Sequence, residues 1–196
     1  SEVEIDDLGN RAKNRILNHA TGKIFDFVPR WRKNGLAFNP SFLPKIETVS
    51  ENFEIPQLGK TRKISILLPH NYYETDYKYP VLYMKDGQNL FDREASYAGE
   101  WEIDESLDIF HNNNLQTVIV VGIENSRDDT RLDEYSPWRN DFYDKGGEGE
   151  AYVNFILNEV KPYIDENYRT LADQANTAIG GSSMGALIAL YALIEH

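Results

Sequence analysis

The sequence predicts an α/β domain: a mainly parallel sheet with helices on both faces and an antiparallel hairpin along one edge. Three observations predict it. Two short, continuous apolar runs, residues 79–84 and 118–121, lead into Asp86-Gly87 and Gly122, as strands buried on both faces do. Stretches with helical spacing stand between and after them, so strand and helix alternate. Ahead of them, two β-rich runs flank Pro56-Gln57-Leu58-Gly59, which is a hairpin pattern.

Residues 1–45 read differently from the rest. Between Arg11 and Lys33 stand seven Lys or Arg and one acid, Asp26, interleaved with Ile16, Leu17, Phe25, Phe27, Val28 and Trp31. This is a basic N-terminal arm, either a helix and loop covering a core edge or a segment that docks on an acidic surface. The α/β domain occupies 46–196. It opens with the hairpin strands, 46–55 and 62–68. After the first apolar strand, Ile103, Leu107 and Phe110 mark a helix face. Residues 124–150 form a long polar stretch punctuated by Gly and Pro, and loops of that length are uncommon unless they line a site. Val153, Ile156, Leu157, Val160 and Ile164 mark an amphipathic helix, bent or restarted at Pro162. Residues 177–179 are a short strand. Residues 187–194 are apolar almost all round, the pattern of a buried helix. Ligands of such sheets gather at the carboxyl ends of the strands. Asp86-Gly87, the 124–150 stretch and residues 180–185 all fall there.

Composition narrows the function classes. A net charge of −12 disfavours nucleic acid and anionic membranes, which need a basic face. With no cysteine, a disulfide scaffold, a thiol nucleophile and a cysteine-bound metal are excluded. The most apolar stretch, 186–194, falls far short of the ~20 residues of a membrane span. The first residues lack the basic start and apolar centre of a signal peptide, which leans the reading toward the cytoplasm. No His, Asp and Glu group shows metal-ligand spacing, and neither G-x-G-x-x-G nor a P-loop with its Lys is present, so no cofactor is expected.

The chemistry concentrates in Gly181-Ser182-Ser183-Met184-Gly185, which matches G-x-S-x-G. That spacing puts the central serine on a strained strand-to-helix turn with its hydroxyl above the sheet. The flanking glycines leave room where a Cβ would strike its neighbours. The following helix aims its positive end at a reacting carbonyl. Ser183 is therefore the candidate nucleophile. One oxyanion donor in this arrangement is the N–H after the nucleophile, that of Met184, and the other comes from the loop after the third strand. Gln88, then Gly87, is the choice for that second donor.

Asp86-Gly87-Gln88-Asn89-Leu90-Phe91-Asp92, Val121-Gly122-Ile123-Glu124-Asn125, Glu134-Tyr135-Ser136-Pro137 and Gly180-Gly181-Ser182-Ser183-Met184-Gly185 together resemble the putative-esterase (esterase-D-like) family of α/β-hydrolases. Siderophore, feruloyl and acetyl-xylan esterases are among its members. The resemblance covers about residues 46–196. It implies an α/β-hydrolase fold and a serine carboxylesterase mechanism through an acyl-enzyme on Ser183. It also implies an oxyanion hole from Met184 with Gly87 or Gln88, and a substrate cleft beside Asn125, Arg131, Tyr135, Pro137 and Trp138. Lys85 departs from the family, in which many members carry His before Asp-Gly. Ala186 replaces a frequent second Gly.

In this fold the triad follows the order Ser, acid, His, and only residues 184–196 follow Ser183. His19, His70, His111 and His196 do not read as its base. His196 ends the helix after the nucleophile, more than ~15 Å along its axis. The expectation is a chain truncated after the nucleophile helix, with the acid and His supplied from beyond residue 196. A homo-oligomer or completing polypeptide would then sit on the exposed sheet edge. The substrate would be a small-molecule or carbohydrate ester. The alternative is a non-catalytic hydrolase-fold binding or scaffold module.

Overall fold

A computed structural model describes residues 3–5, 30–32, 43–97, 99–112, 115–126 and 130–196. In the basic arm it gives β1 (Val3–Ile5) and β2 (Arg30–Arg32), an antiparallel pair with Glu4 opposite Trp31. The helix-and-loop expectation for the arm is thus replaced by strands at these six positions. The rest of that expectation lies outside the described residues.

The main sheet holds β3 (Lys45–Ile55), β4 (Lys60–Leu68), β5 (Val81–Lys85), β6 (Ile119–Ile123) and β7 (Thr177–Gly180) in the order β3-β4-β6-β5-β7. Gly59 supplies a positive φ of 60° in the turn joining β3 to β4. Only β4 runs against the other four strands, since β5 pairs in parallel with both β6 and β7. The predicted mainly parallel sheet with an antiparallel hairpin edge is present. Central β6 is buried along its whole length, as expected of a strand covered on both faces.

Alternation sorts the core into two layers. Ile64, Ile66, Val81, Tyr83, Ile119, Val121 and Ile123 point to one face, while Leu67, Met84 and Val120 point to the other. Helix α1 (Ile103–Asn112) covers the second face through Leu107. It is rolled relative to the expected stripe: Leu107, Asp108 and Ile109 are buried, whereas Phe110 lies at the rim, 43% exposed. In the 124–150 stretch, α2 (Arg131–Glu134) makes one turn, so this is no featureless loop.

Helices α3 (Gly149–Phe155) and α4 (Lys161–Asn167) cover the first face, joined by a π turn at Ile156–Val160. Pro162 has no N–H to donate, and its ring would press on the carbonyl four residues back. The wider π turn just ahead of it relieves that contact without breaking the helix. Helix α5 (Met184–Glu195) departs from the buried helix expected of its sequence. Gly185, Ile188, Ala189 and Ala192 pack inward, but Leu190, Leu193 and Ile194 are 55–71% exposed. Small residues let one side of α5 approach the sheet closely, and no described residue covers the other side.

Candidate active site

The turn between β7 and α5 holds Ser183 at φ 53°, ψ −121°, a conformation that L-residues rarely adopt. The Ser183 side chain is exposed. Two glycines permit the turn. A Cβ on Gly181 would lie 2.6 Å from the Gly185 carbonyl. One on Gly185 would lie 3.1 Å from Asp86 Oδ2 and 3.4 Å from Lys85 Cβ. Ala186 and Leu187 donate their N–H groups to the Ser183 carbonyl at 3.0 and 3.1 Å. As the first residue of α5, Met184 has no carbonyl within the helix to bond.

Beside this turn, β5 ends in Lys85-Asp86, and Gly87–Asn89 form a 3-10 turn. Asp86 is left-handed at φ 57°. Gly87 is pressed against β6: a Cβ there would lie 2.7–2.9 Å from backbone atoms of Gly122, Ile123 and Glu124. Gln88 is pinned through its side chain, whose Oε1 accepts the Asn125 N–H at 3.2 Å.

Three residues expected in the substrate cleft are engaged with Asp86. Asn125 Nδ2 donates to Asp86 Oδ1 at 2.6 Å. Arg131 grips both carboxylate oxygens, Nε to Oδ1 at 2.8 Å and Nη2 to Oδ2 at 2.9 Å. The hydroxyl of Tyr135 accepts the Asp86 N–H at 3.3 Å. Tyr135 is wholly buried and packs at a tilt against Tyr152, ring centroids 5.2 Å apart, so it corrects the expectation that it lines the cleft. Burial pushes its hydroxyl well above the ordinary tyrosine range. Trp138, by contrast, is exposed and packs edge-on against Tyr191 at 6.0 Å. A cavity of about 430 Å³ opens between α2, the 136–146 segment and α5, with Leu132, Tyr143, Met184 and Leu187 as its apolar wall.

The other end of α2 is tied down as firmly. Buried Glu134 accepts from Lys60 at 3.1 Å and pairs with Arg62, while Lys60 also reaches Glu148 at 2.8 Å. Sequence reasoning passed over this network and over Asp86 as an anchor.

Lys85 is also buried, and its Nζ has no hydrogen-bond partner among the described residues. Burial lowers its pKa to about 7, with the Asp86 charge opposing the drop. The folded protein therefore binds the Lys85 proton less tightly than the unfolded chain does. Stability must rise with pH between about 7 and 10.5. Replacing Lys85 with Met should raise stability near neutral pH by ~1–4 kcal/mol and flatten that rise. Urea midpoints at pH 7 and pH 10 check this, and equal slopes for both proteins refute it.

No described histidine stands at this end of the sheet. His70 follows β4, whose carboxyl end lies opposite the Ser183 turn because β4 is the reversed strand. His111 packs edge-on against His70, with ring centroids 4.0 Å apart. His196 ends α5, and His19 lies outside the described residues. Glu100, Asp104 and Glu105, among which the sequence showed no metal-ligand spacing, bring carboxylate oxygens within 4.8 Å of one another. Burial and mutual repulsion raise the Asp104 and Glu100 pKa values.

A parallel sheet carrying a serine on a strained strand-to-helix turn, faced by a loop after the neighbouring strand, defines an α/β-hydrolase. The profile of the Putative esterase family matches residues 55–196, and the chain belongs to that family. It is 31% identical over 140 residues to Uncharacterized protein YbbA of Bacillus subtilis, covering 69% of this chain and 52% of the relative. Among solved structures, an IroE-like serine hydrolase of Shewanella oneidensis is 27% identical with a TM-score of 0.58, covering 76% of this chain and 46% of the other. A ferulic acid esterase of the anaerobic fungus Anaeromyces mucronatus shares the fold at 21% identity and a TM-score of 0.55, over 82% and 56% of the two chains. The chain spans little more than half the length of the curated relatives it matches.

Proposed function

We propose that this chain is the nucleophile-bearing part of a serine ester hydrolase. The observation that carries the reading is the exposed Ser183 held at φ 53° at the head of α5. Ser183 Oγ would attack the ester carbonyl as its proton passes to a histidine base. The tetrahedral intermediate would expel the alcohol, which takes up that proton, and leave an acyl-enzyme. Water activated by the same base would then cleave the acyl-enzyme. The N–H groups of Met184 and of Gly87 or Gln88 would receive the charge that develops on oxygen. The base and its acid would come from outside residues 1–196. The residues that bring them would extend the sheet beside β7 and cover Leu190, Leu193 and Ile194. The wall of Leu132, Tyr143, Met184 and Leu187 beside the turn fits a sugar ring or phenolic group on the substrate.

A fluorophosphonate probe applied to the full-length protein tests the reading. The expected result is one adduct, located on Ser183 by peptide mass spectrometry. An unlabelled Ser183 in folded protein rejects it and favours a non-catalytic hydrolase-fold module.

A further inference from the structure

The two oxyanion donors of the proposed site sit on different elements, Met184 at the head of α5 and Gly87 or Gln88 after β5. Their spacing is a tertiary property, and catalytic groups must be held to within about 0.5 Å to be effective. Asp86 meets both elements. Its backbone leads directly into Gly87, and its carboxylate lies so close to Gly185 that a Cβ there would be 3.1 Å from Oδ2. The carboxylate is 3% exposed and both of its oxygens are gripped by Arg131. Arg131 is itself fixed, because its guanidinium lies 4.8 Å over the Tyr135 ring and α2 is anchored at Glu134 by Lys60 and Arg62. With Nε and Nη2 both bonded to Asp86, one edge of the planar fork is committed to the protein.

We propose that Arg131 and Asp86 form a positioning pair that sets the spacing of the two oxyanion donors, and that Arg131 does not bind substrate. The inference rests on the reading of Ser183 as nucleophile. Breaking the pair weakens an interaction made only in the transition state, so kcat falls while KM stays.

The test compares Arg131→Met, Arg131→Lys, Asp86→Asn and the Arg131→Met/Asp86→Asn double variant in the full-length protein, using neutral and anionic p-nitrophenyl esters. Each single variant is expected to lose ~10- to 100-fold in kcat with KM held within about twofold. The loss should be equal for both kinds of ester, with a parallel loss of affinity for a trifluoromethyl ketone. The double variant should be no worse than the poorer single one, because the two residues act as a unit. Raised KM with intact kcat, a loss confined to anionic esters, or unchanged kinetics overturns the proposal. Should Arg131→Met fail to fold, Arg131→Lys gives the same reading, since it keeps the charge and loses the fork. Failure of the underlying reading shows separately, as unmutated protein that gives no fluorophosphonate adduct on Ser183.

Discussion

Replacing Ser183 with Ala is expected to lower ester turnover in the full-length protein by on the order of 10⁴-fold or more. Replacement with Gly should do the same and also stabilise the protein. The reasoning is local. Ser183 is held at φ 53°, ψ −121°, a backbone state that costs a residue with a Cβ about 1–3 kcal/mol. Ala carries the same Cβ and keeps that strain, so Ser183→Ala should unfold close to the parent. Gly is at ease there, although it loses about 0.5–1 kcal/mol more chain entropy on folding. The net gain of about 1 kcal/mol raises Tm by ~2–4 °C in a chain of this size. Scanning calorimetry of the two variants beside a turnover assay checks both halves. A Gly variant no more stable than the Ala variant shows that the turn is unstrained. A turnover within tenfold of the parent removes Ser183 from the chemistry.

Gly87→Ala should cost more activity than stability, and a good deal of both. The new Cβ would sit 2.7 Å from the Gly122 carbonyl carbon, 2.8 Å from that of Ile123 and 2.9 Å from the Glu124 nitrogen. These are backbone atoms at the end of β6, which is bonded on one side to β4 and on the other to β5. Such a strand cannot recoil, so the 3-10 turn must move instead. Overpacking of this kind costs ~1–3 kcal/mol. With the proposed donor at Gly87 or Gln88, a displacement of about 1 Å is expected to lower kcat by ~100-fold. Gly59→Ala is the control. Nothing lies within 4 Å of its added Cβ, but φ is +60°, so it should cost stability alone. Urea unfolding and ester assays on both variants separate crowding from dihedral strain, and equal activity in the two refutes the account.

Much of the fold was legible because it rests on local pattern. The runs around Val81–Lys85 and Ile119–Ile123 are continuous and apolar, and both became strands covered on two faces. The Ser183 turn was legible for a similar reason, since its glycines, strand and helix are consecutive. What escaped was information carried by distant partners. Asn125, Arg131 and Tyr135 lie 39, 45 and 49 residues from Asp86, and nothing in their order says that they turn inward to a carboxylate. Lys85 stood out as a departure from the family, but its burial depends on the helices above it. The α5 pattern announced an apolar helix without saying which neighbours it has, so Leu193 and Ile194 were expected inside. Phe110 matched a helical stripe and still fell at the rim, because periodicity defines a face and not the roll of the helix against its sheet.

The wide turn at Ile156–Val160 makes its helix tolerant of proline but leaves the regular turns beside it no slack in length. A π turn holds one surplus residue relative to regular winding. Deleting a residue from the regular turns of α4, which hold no such slack, would swing everything upstream by about 100° around the axis. Tyr152 would leave Tyr135, and Gly149, whose N–H meets the Ser136 carbonyl at 3.1 Å, would turn away with it. The aim of the segment that overhangs the cavity beside Met184 is therefore keyed to the residue count of α4, which does not line it, and insertions or deletions in those regular turns should be far less tolerated than substitutions.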